Sequence, residues 1–371
     1  MRLYQQKIIF MNKTITFIGP LPPPAGGVAL ANIRFQNLIK DIKDDIRIIN
    51  LNTSRGLKNA DLYKPKGVVN FFHFLKNIKD FFLFIIFNKS DVYNVFVVPN
   101  ISFFREAIYI TILKLASNKV FIHLHSKASG DLFLNGAKLK FFTRIIGFAD
   151  VVFVLSEHHH KSFFLKYISA KKLVVLENFV NVKDFKNEIK HKKMHLLYVG
   201  RISEKKGFFN LVEAVSLIKH EFPEIIINVL GEFENKVFKK KVIDKIKRDK
   251  IRAFNFKGTT MGKEKLRFFK EASIFLFPSY FENSPIVLKE AIASGLAIIA
   301  SDIIENRQLL DPYDCKIYFE AKNSNDLSKK IKFLLQNKRK LEEMKLSASK
   351  SKIFNYDDAK KVVESCLDNF L

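Results

Sequence analysis

Leu196-Leu197-Tyr198-Val199-Gly200-Arg201-Ile202-Ser203-Glu204-Lys205-Lys206-Gly207-Phe208 opens on four apolar residues, breaks at a glycine and runs into a helical pattern that reaches His220. It reads as strand, glycine loop and helix, the opening of a Rossmann-like unit. Further strands are predicted at Ile225–Leu230, Ala253–Phe256, Ile274–Phe277 and Ala297–Ala300, with helical stretches between them. The first half has the same grammar. Lys7–Ile18 is an apolar, β-branched run that stops at Gly19-Pro20 and passes through Gly26-Gly27 into a helix from Val28 to about Ile42. Strands then follow at Ile46–Leu51, Val92–Val98, Val120–His123, Val151–Leu155 and Leu173–Leu176. Strands alternating with helices imply parallel sheets covered on both faces, so the predicted fold class is α/β with two doubly wound domains. Two such domains are expected to face a cleft at the carboxyl ends of their strands. The polar, basic segment Asn187–His195 reads as the linker between them.

Composition agrees with a globular chain of that size. The 371 residues suit two domains, with 48% apolar and 27% charged residues. The charge is less ordinary, 63 Lys and Arg against 37 Asp and Glu, a formal +26. Such a field attracts nucleic acid, an anionic membrane leaflet or phosphorylated substrates. An A/T-rich coding bias toward Lys, Asn, Ile and Phe accounts for it equally well. No RNA-recognition motif, zinc finger or basic heptad array accompanies it, so no nucleic-acid partner is expected. Cys315 and Cys366 are the sole cysteines, which points to a reduced, cytosolic chain without a disulfide framework. Met1–Lys13 lacks the apolar core of a secretory signal. Phe81–Phe87 is an apolar run of seven residues, short of the ~20 a spanning helix needs.

Three constellations carry chemistry. Gly26-Gly27 stands where the first strand hands over to a helix, a place where a phosphate or sugar can approach the backbone; a structural turn has the same sequence. It is not the dinucleotide fingerprint, because Gly-x-Gly-x-x-Gly is missing. Arg201 and Lys206 share one loop, and a guanidinium fork plus an ammonium point charge can hold a diphosphate. The third is Phe277-Pro278-Ser279-Tyr280-Phe281-Glu282-Asn283-Ser284-Pro285-Ile286-Val287-Leu288-Lys289-Glu290-Ala291-Ile292-Ala293-Ser294-Gly295. Glu282 lies at the mouth of a helix and Glu290 inside it. In one continuous helix they would stand ~12 Å and ~80° apart. That is too far to share a proton or to act as a hydrolase pair, and suited to two hydroxyl-bearing ends of one extended ligand. Glu290 among Ile286, Val287, Leu288, Ala291 and Ile292 is expected to be buried and to need a partner.

This last segment resembles the signature of retaining nucleotide-sugar glycosyltransferases of the GT-B architecture, the glycosyl transferases group 1 class or family four. Pro278, Ser279, Glu282, Glu290, Ala291, Ala293 and Gly295 carry the match. Gly200-Arg201 with Lys206-Gly207, Leu230-Gly231 and Phe256-Lys257-Gly258 match further family positions, and Gly26-Gly27, His125, Ser156 and Asn178 match less specific ones. The resemblance implies an acceptor-side domain at 1–190, a nucleotide-sugar-binding domain at 191–350, and a helix at 351–371 that packs back on the first domain. Its amphipathic pattern places Ala359, Val362, Val363, Cys366 and Phe370 near one face.

Position by position, the resemblance implies that Arg201 and Lys206 bind the donor diphosphate, Glu290 the ribose hydroxyls and Glu282 the sugar hydroxyls. Backbone N–H groups of Asn283, Ser284, Pro285 and Ile286 are expected to face phosphate or sugar, proline contributing position alone. Gly26, Gly27, Gly231 and Gly258 complete the implied donor site, and His125 the sugar's other side. It implies a retaining hexosyltransferase, a nucleotide sugar as donor, and a glycan or lipid-linked glycan as acceptor. Bacterial surface polysaccharide or lipopolysaccharide assembly is the implied setting, in the cytoplasm or on the inner leaflet. No cofactor and no essential metal are expected; His158-His159-His160 fans its side chains ~100° apart if helical, which suits a surface better than a metal. Two departures, Ile304-Glu305-Asn306-Arg307 in place of Gly-Gly and Asn283-Ser284 in the motif loop, bear on donor-sugar identity. Asn70–Asn88 mixes Phe, Ile and Lys, which fits either an anionic membrane surface or the core side of a covering helix. A nucleotide-sugar epimerase of the same architecture is the alternative enzyme, and a basic nucleic-acid-binding protein the alternative from another class.

Overall fold

The computed structural model describes residues 13–22, 27–54, 67–98, 100–125, 136–157, 161–186, 191–282 and 284–371. Gly26, His158-His159-His160, Asn283 and the first part of the expected linker lie outside the described residues. The chain divides into two compact units, one taking in the described residues up to 177 together with 358–371, the other 178–357.

The first unit is built on strands β1 (Thr14–Gly19), β2 (Arg47–Asn52), β3 (Val92–Val97), β4 (Lys119–Leu124), β5 (Val151–Val154) and β6 (Leu173–Val175). They form one parallel sheet in the order β2-β1-β3-β4-β5-β6. Its helices are α1 (Gly27–Ile42), α2 (Gly67–Phe87), α3 (Phe103–Leu115), α4 (Gly136–Ile146) and the short turn α5 (Ser162–Phe164). Every residue of β3 is buried, as a strand covered on both faces requires. α1 buries Ala29, Asn32, Phe35, Leu38 and Ile39, the 3–4 spacing of one helix face.

In the second unit, α6 (Val182–Lys186) leads into β7 (His195–Val199), α7 (Phe208–Ile218), β8 (Ile226–Leu230), α8 (Lys236–Arg248) and β9 (Phe254–Gly258). The chain continues as α9 (Gly262–Glu271), β10 (Ile274–Phe277), α10 (Ile286–Ala293), β11 (Ala297–Ser301), α11 (Ile304–Leu310) and β12 (Lys316–Phe319). α12 (Ser324–Gln336) and α13 (Lys338–Lys350) close this unit, and α14 (Tyr356–Asp368) belongs from residue 358 onward to the first unit. The sheet order is β12-β11-β10-β7-β8-β9, all parallel. Successive residues of β7 feed opposite faces: Leu196 and Tyr198 join Phe208, Leu211 and Ile331, while Leu197 joins Phe275, Leu288 and Ile298.

The two doubly wound α/β sheets are the predicted class, with local differences. β12 is not predicted from sequence, because it is a four-residue edge strand that is largely half-exposed and so shows no buried apolar run. His195, assigned to the linker, is the first residue of β7, and Lys192 in that segment pairs with Glu271 at 2.8 Å. α14 buries Ala359, Val363, Cys366 and Leu367. Its end lies against the first unit's sheet, Phe370 meeting Phe121 edge-on at 5.1 Å and Asp368 pairing with Lys43 at 2.9 Å. Leu367, not Val362, is among the buried residues of that helix. Both cysteines are buried free thiols, each pushed up to about 11 by burial. No helix among the described residues is long and apolar enough to cross a membrane.

Candidate functional site

The strand order of the second unit locates a site before any side chain is considered. From β7 the chain winds one way through β8 and β9, then returns to β10 on the other side of β7 and winds away through β11 and β12. The neighbours β7 and β10 therefore flank the switch point, outside whose carboxyl ends an open α/β sheet leaves a crevice. The loops leaving those two strands are Gly200–Gly207 and Pro278–Pro285, the two segments that the sequence singles out.

The loops are built against each other. Tyr280 N–H donates to Lys205 O at 3.0 Å. Gly207 has φ +64°, and a Cβ there would stand 1.9 Å from Pro278 O, so glycine is required both for the turn and for the approach. Across this seam Lys206 Nζ stands 2.7 Å from Glu282 Oε1. Tyr198 O–H donates to Arg201 O at 2.7 Å, and burial, with the Glu282 carboxylate adding to it, pushes that phenol far above its ordinary value. Tyr198 is thus a fixed neutral donor holding the loop. Arg201 is exposed in the same loop.

The strand ends continue the row. Gly200 N–H donates to Leu230 O at 2.9 Å and Gly231 N–H to Gly258 O at 2.8 Å. At Gly231 a Cβ would come within 1.9 Å of Gly200 O, so the backbones meet there with no room for a side chain. Gly200, Gly231 and Gly258 thus line the same carboxyl edge of the sheet.

Glu290 and Glu282 do not share a helix. α10 starts at Ile286, capped by Pro285 without a side-chain cap, so the ~12 Å helical spacing expected for the pair does not apply. Proline fixes its own φ and holds the preceding residue out of the helical region, which leaves Glu282 in the loop. Ser284 O accepts from Asn178 Nδ2 at 2.9 Å, which ties the motif loop to the start of the unit. Glu290 is buried, as expected, and its partner is Lys265 of α9, whose Nζ is 2.7 and 2.6 Å from the two carboxylate oxygens. Sequence reading did not find Lys265; it lies 25 residues away in a chain with 63 basic residues. Nor did it find the brace beneath the motif: Ser301 Oγ donates to Ser279 O, and Asn306 Nδ2 donates to Ser301 O at 2.9 Å. Asn306 belongs to the segment that departs from the Gly-Gly pattern, and it is fully buried.

In the first unit, Gly27 begins α1 and a Cβ there would meet nothing within 4 Å. His125 follows β4 and stacks on Phe96 at 5.4 Å, while His123 stacks on the same ring at 4.7 Å. Each histidine has one ring nitrogen buried without a hydrogen-bond partner among the described residues. Burial lowers His125 to about 4 and takes His123 well below the usual range, with His125 contributing to the latter. Both are neutral rings near pH 7. Among the described residues no three His, Cys, Asp or Glu side chains converge as a metal cluster would.

Residues 180–351 match the family model described as Glycosyl transferases group 1. An uncharacterized glycosyltransferase of Methanocaldococcus jannaschii is 23% identical over 262 residues, covering 66% of this chain and 62% of that protein. The capsular polysaccharide biosynthesis glycosyltransferase CapH of Staphylococcus aureus is 24% identical over 163 residues, 44% of this chain and 45% of that one. The chain spans about half the length of the curated relatives it matches. Among solved structures, Anabaena HepE in complex with UDP and glucose superposes with a TM-score of 0.72 at 14% identity, covering 96% of this chain and all of that one.

Proposed function

We propose that this chain, which has the GT-B architecture and a glycosyl transferases group 1 domain at residues 180–351, transfers a sugar from a nucleoside diphosphate to a glycan acceptor. The observation that carries the reading is the Lys206–Glu282 pair at the switch point of the second sheet. An acid suited to sugar hydroxyls and a cation suited to phosphate are held side by side there, with Arg201 in the same loop and the N-terminus of α10 following it. Lys206 and Arg201 take the diphosphate, Glu282 the transferred sugar, and Glu290 the ribose. The similarity of HepE, crystallised with UDP and glucose, supports a nucleotide sugar as donor.

In the proposed reaction the bond between the anomeric carbon and the diphosphate oxygen breaks while the acceptor oxygen bonds to that carbon. Retention follows if the acceptor attacks from the face that the diphosphate leaves, giving its proton to the departing phosphate oxygen. Negative charge grows on that oxygen, where preorganised cations and N–H groups are most effective. Arg201, Lys206 and the first N–H groups of α10 supply that charge stabilisation in this reading, with no essential metal assigned. Neutral His125 is proposed as a contact of the transferred sugar.

The similarity to CapH supports surface polysaccharide assembly as the setting, lipopolysaccharide included, on the cytoplasmic side of the membrane. A hexosyl donor and a lipid-linked acceptor complete the proposal. α2 supports an anionic membrane surface as partner: Phe72, Phe82, Leu83, Ile86 and Phe87 are exposed on it, with Lys76 and Lys79 exposed on the same helix.

The test is a thermal-shift panel of nucleoside diphosphates and their sugars, since a ligand that binds the folded state raises its stability by mass action. One diphosphate and its sugar are expected to raise the melting temperature, and Glu290→Ala to remove most of that shift. No shift with any of them ends the donor-site reading. Rearrangement of the sugar nucleotide without acceptor replaces transfer with epimerisation.

A further inference from the structure

The second unit holds a cavity of about 360 Å³ that none of Arg201, Lys206, Glu282 and Glu290 lines. Its size falls at the low end of the ~300–1,000 Å³ usual for small-molecule pockets. Phe209, Asn210 and Glu213 enter it from the first two turns of α7, and Glu204 and Lys205 from the loop before that helix. Tyr280 enters from the loop after β10, and Lys322 from the turn before α12.

Its polar groups are held in place and lack partners of their own. Asn210 is 4% exposed, and its side-chain nitrogen has no hydrogen-bond partner among the described residues, where a buried amide ordinarily has one. Among the same residues Glu213, half-buried on α7, makes no hydrogen bond or ion pair. Glu204 is paired with Lys241 of α8 at 3.2 Å, and that ammonium also lies 4.1 Å from the Phe209 ring centroid. Lys322 Nζ lies 5.5 Å from the ring centroid of Tyr280. Burial, with Glu204 and Glu213 adding to it, pushes the Tyr280 phenol up to about 12, so a neutral O–H stands beside the two acids.

This chemistry narrows the occupant. A phosphate would meet the carboxylates of Glu204 and Glu213, and a small cation the ammonium groups of Lys205 and Lys322. An apolar molecule would take charged and amide groups out of water without pairing them. A neutral polyhydroxylated ring suits all of them. Its hydroxyls donate to Glu213 and accept from Asn210, the phenol or an ammonium, while its C–H face packs on the aromatic wall.

We propose that this cavity is a second saccharide site, separate from the Lys206–Glu282 pair, that takes one neutral sugar ring. Tyr280 N–H donates to Lys205 O at 3.0 Å, one residue from Lys206 and two from Glu282. An occupant therefore touches both loops that carry the pair. The site does not need the donor reading, and its test separates the two.

Saturation-transfer NMR on the full chain uses the methyl glycosides of glucose, galactose, mannose and N-acetylglucosamine. At least one is expected to receive saturation, and to keep it when UDP, ADP, GDP and CDP are added in turn. Glu213→Ala should weaken that binding by about tenfold or more, the worth of a hydrogen bond to a charged group, and leave any nucleotide-induced thermal shift unchanged. Displacement by a nucleoside diphosphate would place the sugar at the nucleotide, and displacement by inorganic phosphate would make the cavity an anion site; either overturns the proposal. So does equal binding by the Glu213→Ala chain, or no saturation of any glycoside. Where Glu213→Ala does not fold, Glu213→Gln, which keeps the shape without the charge, is read by the same outcomes. Failure of the donor reading shows separately, as absence of every nucleotide shift with glycoside binding retained.

Discussion

Lys206 Nζ lies 2.7 Å from Glu282 Oε1, joining the loop after β7 to the loop after β10. The acid side chain is 10% exposed and the lysine 32%, so the pair is shielded on the carboxylate side and open on the ammonium side. Under the proposed function, a diphosphate arriving at Lys206 shares or displaces a carboxylate already in place. The two residues are coupled before any ligand binds.

Coupling predicts non-additive mutants. Glu282→Gln removes the competing charge, so nucleoside diphosphate affinity should rise by about tenfold while transfer falls by about 100-fold or more, if Glu282 acts on the sugar in the transition state. Lys206→Met should weaken diphosphate binding by about tenfold or more. The double variant should bind diphosphate within about threefold of Lys206→Met alone, since the glutamate acts through the lysine. Calorimetry of all four chains with single-turnover transfer checks this; additive losses would mean that the two residues act separately.

Gly207→Ala is expected to be among the most damaging single changes in the second unit. Its Cβ would stand 1.9 Å from Pro278 O, a backbone atom, at a φ of +64°. The expected loss is about 4 kcal/mol or more, the range reserved for a small set of steric and burial failures. Gly27→Ala is the contrast: nothing lies within 4 Å, and Ala favours the first turn of a helix. It should be neutral or gain up to about 1 kcal/mol. Urea unfolding of both variants decides. Loss of transfer in a fully stable Gly27→Ala chain would assign Gly27 to ligand approach; retained transfer would make it a turn.

The strands that were legible in sequence were those buried on both faces, whose apolar runs leave little choice: Val92–Val97 and Ile274–Phe277 are buried throughout. β12 escaped because an edge strand with half-exposed residues has no such signature. For the site, Arg201, Lys206 and Glu282 stand in the loops that follow strands, and Glu290 is the lone acid inside an otherwise apolar helix, so each interrupts an apolar pattern. Lys265 and Asn306 could not be found that way. Lys265 meets Glu290 because α9 carries the chain from β9 back across the sheet to β10, and Asn306 reaches the Ser301–Ser279 contact because β11 lies beside β10; both follow from the sheet order, not from local sequence.

Unit one should lose stability as the medium is acidified through the range below neutrality. Burial lowers His125 to about 4 and His123 well below the ordinary value, so the folded chain resists protons that the unfolded chain accepts near 6.5. Where the unfolded state binds more protons, stability rises with pH. The contribution is therefore complete above about pH 6.5 and is lost progressively as pH falls from there toward 4. Melting temperature against pH should slope downward on the acid side, and His123→Phe should flatten the slope if the folded structure is kept. A flat profile between pH 4 and 6.5 in the unaltered chain would show that these rings are not held neutral.

The exposed face of α2 separates a membrane role from a packing role. Phe81 is fully buried and stacks on Tyr109 at 4.1 Å, so one side of the helix is core. Ile86 and Phe87 are 66% and 80% exposed, and Phe82 is 44% exposed. Replacing these three with serine touches no core contact comparable to Phe81, so the melting temperature should change little. If the helix lies on an anionic surface, each lost side chain removes apolar burial in the interface, while Lys76 and Lys79 retain about 1 kcal/mol each of attraction at low salt. Flotation with phosphatidylglycerol-rich vesicles should then fall sharply in the triple serine variant and fall further at high salt, with the nucleotide-induced thermal shift unchanged. Equal flotation of both chains would place the contact elsewhere, and absence of flotation in the unaltered chain at low salt would remove the membrane from the proposed function.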